Sequence, residues 1–395
     1  MADRKGPGVP YHVAFSERTG GTALTGGQGQ AAGRAFGRPW HRLPGGLALG
    51  KANVDGAVIV TVTLNASLDK TYSVPGFAVG RDLVAARVEC TPGGKGLNVA
   101  SFAHALGAKV LATGILAGNT GRHIQELLAA RGIAHDFVWV PGESRSCHII
   151  HDPETNTLSQ VREPGPVVPP GTRAVVAEKV RALARQASIV VMSGSLPPGL
   201  ESDVYRELVA IVRAEQVPVI LDASGEPLAL GLEARPWLIK PNLEELADLA
   251  RRLGIGAGAA GPAARLSQAT GTHPPPEEAE ALRRWAAAVV RQVHERFQVR
   301  VVASLGPLGA VVVDRGEAYA VVPPPVTAVN TISCGDALVA GIAVAWTRGQ
   351  DLAGAVRLGV AAATAKARIF STGQLHPADV AQLLSQVETH AIAGN

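Results

Sequence analysis

An aspartate stands at the beginning of an apolar helical segment. A turn of small residues, Thr331–Gly335, leads into Asp336, and the segment Ala337–Trp346 is apolar on all sides, which is typical of a buried helix. The N-terminus of such a helix presents unpaired backbone N–H groups and the positive end of the helix dipole, so it suits a phosphate group. The pattern indicates an anion site with a carboxylate beside it. The alternative is an acid that only favours the dipole.

A glycine-rich segment, Pro92–Ala100, is the second candidate. Its glycines let the backbone approach a ligand closely. Lys95 can neutralise an anion, and Asn98 offers a hydrogen-bond donor and an acceptor to hydroxyl groups. The segment is not a P-loop, because Gly96 follows the lysine where Ser or Thr is required. The alternative interpretation is a glycine-rich turn that starts the helix Leu97–Leu106.

Acid and amide side chains follow two of the strand-like segments. Asp69 lies just past the β-branched run Val58–Leu64, and ligands of open α/β sheets bind at the carboxyl ends of strands. Turns also favour Asp for reasons unrelated to ligands. After the run Trp237–Ile239, Asn242 and Glu245 are three residues apart and share a helix face. The same spacing is that of a capping box, so both roles stay open.

Strand-like and helical segments alternate from residue 58 onwards. Strands are predicted at Val58–Leu64, Val110–Ile115, Ile189–Ser193, Val217–Leu221 and Val299–Ser304. Helices are predicted at Gly121–Arg131, Thr172–Gln186, Ser202–Glu215 and Glu278–Phe297. This alternation predicts an α/β fold, a mostly parallel sheet with helices on both faces.

Three stretches interrupt the alternation. Residues about 66–90 and 146–162 read as short strands with polar faces, which predicts a small projecting sheet, either a lid over a cleft or a surface hairpin. Residues about 252–277 are rich in Gly and Ala and predict an irregular insertion. The formal G-x-G-x-x-G match at Gly256–Gly261 is rejected as a dinucleotide site, because a helical pattern precedes it where a strand is required.

Charge and cysteine content exclude several classes of protein. The net charge is +4, but residues 1–56 hold seven Lys/Arg and three acids, so the remainder has equal numbers of basic and acidic residues. No basic stripe for nucleic acid is seen there. The three cysteines show no metal or disulfide spacing, and no membrane span or signal peptide is read, so we expect a cytoplasmic protein. Residues 1–56 are interpreted as a disordered basic tail or a misassigned start.

Seven motifs, in one order, resemble the PfkB (ribokinase-like) carbohydrate kinases. The resemblance runs from Val58 to about Gly373, within an expected kinase domain of residues 57–390. It is strongest to the branch that contains 1-phosphofructokinase and tagatose-6-phosphate kinase. The motifs are Thr63–Asp69, Pro92–Ala100, Ser193–Gly199, Asp222–Gly225, Lys240–Glu245, Ser304–Gly309 and Asn330–Asp336.

The resemblance implies an ATP-dependent kinase of a ketohexose phosphate, namely fructose 1-phosphate, tagatose 6-phosphate or fructose 6-phosphate. It implies that Asp336 is the catalytic base and that the backbone of Ser333, Cys334 and Gly335 forms an anion hole. The implied sugar-binding residues are Asp69, Gly93, Gly94 and Asn98, with Lys95 and Arg145 on the phosphate of the substrate. The implied ATP-binding residues are Lys240, Asn242, Ser304, Gly306 and Gly309, with Asn242 and Glu245 supporting Mg²⁺ indirectly.

The family often pairs two subunits through the small sheet, so the resemblance also implies a homodimer through this β-lid. The sequence departs from the family at several places, two of which concern the anion hole and the substrate. Ser333-Cys334 replaces the usual Gly-Ala of the anion hole, and Gly80–Val84 replaces a stretch typical of the phosphosugar branch. Two alternatives therefore stay open: a kinase of an unphosphorylated sugar or nucleoside, and a non-catalytic sensor of a sugar phosphate.

Overall fold

The computed structural model describes residues 56–255 and 274–392. The predicted tail, residues 1–56, lies outside this range except for its last residue. Most of the predicted insertion, residues 256–273, lies outside it as well. The described parts of the insertion are the end of one helix and the beginning of the next.

The described residues form 15 strands and ten α-helices. The strands are β1 Val58–Thr63, β2 Ser67–Ser73, β3 Arg87–Gly93, β4 Lys109–Ala117, β5 Ala134–His135, β6 Val138–Val140, β7 Arg145–Asp152, β8 Thr157–Arg162, β9 Ile189–Ser193, β10 Val219–Asp222, β11 Leu238–Ile239, β12 Arg300–Ser304, β13 Ala310–Asp314, β14 Glu317–Val322 and β15 Glu388–Ala391. The helices are α1 Lys95–Ala105, α2 Gly118–Ala130, α3 Thr172–Ala184, α4 Val204–Ala214, α5 Gly225–Glu233, α6 Leu243–Leu253, α7 Pro276–Phe297, α8 Cys334–Thr347, α9 Leu352–Ala367 and α10 Pro377–Leu384.

Most strands join one large sheet, in the order β15-β14-β13-β12-β11-β10-β9-β1-β4-β5, with β6 also beside β4. Pairing is parallel from β12 to β5 and β6, and antiparallel from β12 to β15. The central strands are apolar runs buried on both faces, as parallel strands between helical layers must be. The predicted mostly parallel sheet is confirmed, with an antiparallel edge.

Two hydrophobic clusters cover the two faces of the large sheet. One contains buried residues of α3 to α7, and the other contains those of α1, α2, α8, α9 and α10. Alternate residues of β1 point into opposite clusters: Val60 and Val62 into the first, Ile59 into the second. Helices on both faces are therefore confirmed. None of the helices in the described part of the chain combines the length and the hydrophobicity needed to cross a bilayer.

Helix α8 is buried along nearly its whole length, because α9 packs directly on it. A Cβ atom added to Gly341 of α8 would lie 2.6 Å from the Cα atom of Gly359 of α9, so only glycine permits this approach. The contact fixes α8 in the core and thereby fixes its N-terminus at the carboxyl edge of the parallel strands.

The two polar stretches form a separate four-stranded sheet, in the order β3-β2-β7-β8. Strand β2 pairs antiparallel with β3 and parallel with β7, so Ser67 lies opposite both Gly93 and Arg145. One face buries Cys147 and Ile149, which alternate along β7, while the edge strands leave other side chains exposed. Whether this sheet acts as a lid stays a prediction.

Candidate active site

Three parallel strands end in polar side chains that meet at one edge of the large sheet. Asp222 is the last residue of β10, and Lys240 directly follows β11. The Oδ1 atom of Asp222 lies 3.2 Å from the Nζ atom of Lys95 and 3.4 Å from that of Lys240. The hydroxyl of Ser193, at the end of β9, donates to Oδ2 at 3.2 Å. Burial alone would raise the pKa of Asp222, but the two ammonium groups outweigh it and hold that pKa below its usual value.

Asp336 is buried in the first turn of α8. The side-chain amide of Asn98, on α1 with Gly94 as its N-cap, donates to the Oδ2 atom of Asp336 at 2.8 Å. Burial and the nearby charge of Asp222 raise the pKa of Asp336 to about 7, against the opposing charge of Lys95 and the hydrogen bond from Asn98. A carboxyl group with a pKa near neutrality is suited to take a proton from a hydroxyl group.

Lys95, the first residue of α1, connects the two sides of the site. Its Nζ atom lies 3.2 Å from the carboxylates of both Asp222 and Glu245, and its side chain is 36% exposed. Partial burial disfavours the charged form, but Asp222, Glu245 and Asp336 together raise the pKa of Lys95 well above its ordinary value. We call Lys95, Asp222, Lys240, Glu245 and Asp336 the charged cluster.

The turn before α8 depends on a backbone conformation that its sequence disfavours. Ser333 is the N-cap of α8 and has φ 66° and ψ 8°, in the left-handed region. A non-glycine residue there costs about 1 kcal/mol. The hydroxyl of Ser333 donates to the carbonyl oxygen of Thr372 at 2.7 Å, which offsets part of that cost. Ser333 therefore holds the geometry that a glycine would adopt without strain.

The amide groups of this turn differ in their availability to a ligand. The N–H of Cys334 donates to the carbonyl of Thr331 at 3.3 Å, whereas that of Gly335 has no acceptor in the part of the chain that the structure describes. A Cβ atom added to Gly335 would lie 3.5 Å from the Nζ atom of Lys240, so that ammonium group lies beside the helix N-terminus. Lys240 is only 3% exposed. The free amide, the helix dipole and the ammonium group favour an anion at one position.

Asn242 and Glu245 form a capping box at the N-terminus of α6. The N–H of Asn242 donates to Oε2 of Glu245 at 2.9 Å, and the N–H of Glu245 donates to Oδ1 of Asn242 at 2.8 Å. Asn242 also forms an isolated parallel bridge with Ser304, the last residue of β12. Gly306 begins the 3₁₀ turn that follows, and Gly309 is its C-cap. These predicted nucleotide residues therefore lie together beside the charged cluster.

The predicted sugar-binding residues Asp69 and Arg145 lie at a corner of the four-stranded sheet. The hydroxyl of Ser67 donates to Asp69 at 2.6 Å, and the Nε atom of Arg145 donates to the carbonyl of Asn65 at 3.1 Å. Burial raises the pKa of Asp69 to about 6, against the hydrogen bond from Ser67 and the charge of Arg145. A Cβ atom on Gly93 would lie 2.1 Å from the carboxylate of Asp69, so the glycine makes room for it.

Sequence reasoning missed two elements of this site. It quoted Asp222 within a motif but gave it no role. The available signal was an acid at the end of an apolar strand, the position in which Asp69 was noticed. It also missed Lys366 in the last turn of helix α9, whose ammonium group donates to the backbone carbonyl of Asn330.

Comparison with known proteins identifies the family. Residues 62–378 match the family described as pfkB family carbohydrate kinase. The chain is 36% identical over 308 residues to 1-phosphofructokinase from Rhodobacter capsulatus, which spans 77% of this chain and 88% of the relative. It is 29% identical over 289 residues to tagatose-6-phosphate kinase from Staphylococcus epidermidis, spanning 72% of this chain and 84% of the relative.

Solved structures agree with the sequence comparisons. Phosphofructokinase-2 from Escherichia coli, in a complex with potassium, matches with a TM-score of 0.71 at 28% identity, over 84% of this chain and 99% of the other. The chain belongs to the pfkB family of carbohydrate kinases and is a phosphotransferase. The family and the class of enzyme predicted from the motifs are confirmed.

Proposed function

We propose that this protein transfers the γ-phosphate of ATP to a hydroxyl group of a ketohexose phosphate. Fructose 1-phosphate is the first candidate, because the relative from Rhodobacter capsulatus is a 1-phosphofructokinase. Tagatose 6-phosphate and fructose 6-phosphate are the next. The observation that carries the proposal is the buried Asp336, held by Asn98 beside the free amide of Gly335 and the ammonium group of Lys240.

The proton transfer is assigned to Asp336. Its carboxylate takes the proton of the attacking hydroxyl as the oxygen bonds to phosphorus, and general-base help of this kind is worth about 10²- to 10⁴-fold in rate. Asn98 holds one carboxylate oxygen by donating to it, which leaves the other free to face the substrate. The raised pKa of Asp336 makes it a stronger base than an ordinary aspartate.

The anion site at the start of α8 is proposed to stabilise the negative charge on the transferred phosphoryl group. Gly335 offers a backbone N–H there, with Cys334 and Ser333 completing the turn, and Lys240 adds a fixed positive charge. The resemblance placed Lys95 on the phosphate that the substrate already carries. We propose instead that Lys95 binds the transferred phosphoryl group, because its partners Asp222 and Glu245 lie on the nucleotide side of the site. Preorganised charge of this kind supplies most of the catalysis in phosphoryl transfer.

ATP is proposed to lie against α6 and the turn after β12, where Lys240, Asn242, Ser304, Gly306 and Gly309 gather. The protein residues fit an indirectly held Mg²⁺, which would neutralise charge on the ATP phosphates. Both oxygens of Glu245 already accept hydrogen bonds, from Lys95 and from Asn242. Among the described residues, no three His, Cys, Asp or Glu side chains are grouped so that they could hold a metal ion. This donor set suits a metal that keeps its waters and binds mainly to phosphate oxygens.

The sugar phosphate is proposed to lie between the two sheets. Asp69 accepts hydrogen bonds from sugar hydroxyls, and Gly93, Gly94 and Asn98 line the floor beside it. Arg145 is proposed to bind the phosphate that the substrate already carries. Among the described residues, its guanidinium group has a hydrogen-bond partner only at Nε, so the two terminal nitrogens can donate to a phosphate.

The four-stranded sheet is proposed to act as a lid and to pair with a second subunit. Val88 and Val161, in its outer strands β3 and β8, are 52% and 60% exposed. Exposed valines of this kind are suited to a contact between subunits. Phosphofructokinase-2 from Escherichia coli has a tetrameric inhibited form, which supports the proposal of contacts between subunits.

An ADP-release assay with MgATP tests the proposed function. The panel contains fructose, fructose 1-phosphate, fructose 6-phosphate and tagatose 6-phosphate, with the wild type, Asp336→Asn and the control Asp379→Asn in α10. Turnover that requires a phosphorylated ketohexose, is lost in Asp336→Asn and is kept in Asp379→Asn is the expected result.

Two other results would contradict the proposal. Turnover of fructose alone would replace it with a kinase of unphosphorylated sugars. Sugar-phosphate binding without turnover, in wild-type protein shown to be folded, would replace it with a sensor.

A further inference from the structure

The most deeply buried lysine of the described chain has no carboxylate as a hydrogen-bond acceptor. Lys366 has 0% exposure, and its ammonium group donates to two backbone carbonyl oxygens, those of Asn330 at 3.1 Å and Ile369 at 3.3 Å. Lysine is almost never fully buried unless it is paired, because removing a charge from water is costly. Because burying the ammonium group of Lys366 is costly, we expect it to have a role other than packing.

Backbone dipoles stabilise the charge of Lys366. The residue lies in the last turn of α9, where the helix dipole is negative and favours a cation. Burial lowers the pKa of Lys366, and the nearby groups Cys334 and Asp336 act in the opposite direction. Burial also raises the pKa of the Cys334 thiol to about 11, so that side chain is neutral at physiological pH. The ammonium group is therefore held mainly by carbonyl oxygens.

The two carbonyls belong to the segments that support the anion site. Asn330 precedes the turn Thr331–Gly335, and its own side chain donates to the carbonyl of Phe370 at 2.7 Å. On the other segment, Thr372 lies three residues after Ile369, and its backbone carbonyl accepts a hydrogen bond from the hydroxyl of Ser333. Lys366 thus connects the two segments through their backbone carbonyls. Its contact with Asn330 lies three residues before the strained Ser333.

We propose that Lys366 is a positioning residue that serves as a built-in monovalent cation. Its ammonium group holds the 330–335 turn against the 369–372 segment, so that the free amide of Gly335 points at the transferred phosphoryl group. It acts through the turn and does not touch the substrate. The protein then needs no added monovalent ion for full activity. This inference rests on the proposed kinase function for its kinetic arm only.

The kinetic arm compares Lys366→Ala, Lys366→Met and the exposed control Lys109→Ala in potassium, ammonium, sodium and tetramethylammonium chlorides at constant ionic strength. We expect wild type and Lys109→Ala to turn over equally in all four salts. In tetramethylammonium, Lys366→Ala should lose kcat on the order of 10- to 100-fold through misplacement of the turn, with KM for both substrates changed by about twofold or less. Potassium or ammonium should restore its kcat. Lys366→Met should not be restored, because its side chain fills the space.

The second arm measures melting temperature and needs no activity. Potassium should raise the melting temperature of Lys366→Ala above its value in tetramethylammonium, because an ion that binds only the folded state stabilises it. Wild type should show no such difference.

The inference is overturned if folded Lys366→Ala keeps wild-type kcat in tetramethylammonium. It is also overturned if no small cation restores the kcat or the melting temperature of this variant. If Lys366→Ala does not fold, the turnover of the wild-type protein is the test. We expect that turnover to be independent of potassium, and a requirement for potassium would overturn the inference. Wild type inactive on every sugar would refute the proposed kinase function, and the melting-temperature arm would still test Lys366.

Discussion

The charged cluster and the four-stranded sheet are built in opposite ways. Asp222 and Lys240 of the cluster are 0% and 3% exposed, and each element that carries them is packed into the hydrophobic core. In the sheet, Val88 and Val161 stand in solvent, and Arg145 is held through one nitrogen. Chemistry that depends on fixed charges lies on the rigid core, whereas recognition of the sugar lies on the less buried sheet. Substitutions should therefore cost stability and kcat in the cluster, but KM in the sheet.

The largest effect is expected for Asp222→Asn. Removing the anion leaves the ammonium groups of Lys95 and Lys240 together, and losing one partner of a buried pair costs about 3–5 kcal/mol of unfolding free energy. Chemical denaturation of wild type and variant measures the loss.

Asp152→Asn is the matched variant in the four-stranded sheet. Asp152 accepts hydrogen bonds from the N–H groups of Gly76 and Glu154, and the amide oxygen of an asparagine can still accept them. Its loss of stability should be clearly smaller. Equal losses for Asp152→Asn and Asp222→Asn would remove the energetic contrast between the two regions.

The pKa of Asp336 predicts a pH dependence of opposite sign to that of Asp222. Its folded-state pKa of about 7 exceeds its ordinary value of 3.8, so the folded state binds this proton more tightly than the unfolded state. The resulting stability is full below about pH 4 and is lost as pH rises to about 7. Asp336→Asn should therefore be more stable than wild type at pH 8, by at most about 4 kcal/mol, and the difference should shrink towards pH 4.

Activity tests the same group independently. In wild type, kcat/KM should fall about tenfold per pH unit below pH 7, because the base becomes protonated. Melting curves of wild type and Asp336→Asn between pH 4 and pH 8 provide the stability series. A stability difference that does not change with pH would show that Asp336 ionises normally, and the assigned base would then lack its raised pKa.

The next effect is expected in the four-stranded sheet. Arg145→Gln removes the guanidinium group proposed to bind the phosphate of the substrate, and a charge-assisted hydrogen bond of this kind is worth about 1.5–3 kcal/mol. KM for the sugar phosphate should rise about 10- to 100-fold with kcat little changed. Arg185→Gln removes the same charge at the end of α3, where the side chain is 66% exposed, and is the control. A fall in kcat with unchanged KM would place Arg145 with the cluster instead.

Local patterns of the sequence were enough to predict the fold and the ends of the elements that carry the site. The apolar run after Asp336 predicted α8, and the runs at residues 58 and 189 predicted β1 and β9 to within one residue. The spacing of Asn242 and Glu245 predicted the capping box. These features depend on periodicity and capping, which neighbouring residues determine.

Contacts between distant residues could not be predicted in this way. Asn98 and Asp336 are 238 residues apart, and Lys95 and Glu245 are 150 apart. Their meeting depends on the order of strands in the sheet, which no local pattern encodes. The contact of Lys366 with the carbonyl of Asn330 also follows from tertiary structure, because the sequence alone predicts that a lysine on a helix is exposed to solvent.

The smallest effect is expected at Ser333, a non-glycine residue in the left-handed backbone region. Ser333→Gly relieves the left-handed conformation, worth about 1 kcal/mol, but it also removes the hydrogen bond to Thr372, worth about the same. The free energy of unfolding should therefore change by about 0.5 kcal/mol or less. Arg315→Gly, at another left-handed position with φ 53° in an exposed turn, relieves strain and should stabilise the protein.

Turnover decides what the serine contributes. If the hydroxyl of Ser333 only compensates for strain, Ser333→Gly should keep kcat to within about threefold, because the turn retains Lys366 and the side chain of Asn330. A loss of kcat above tenfold, with stability unchanged, would mean that the bond to Thr372 is needed to aim the amide of Gly335. The anion site would then depend on a side chain as well as on its backbone. The buried charged cluster and the less buried four-stranded sheet would in that case differ less in how they hold their functional groups.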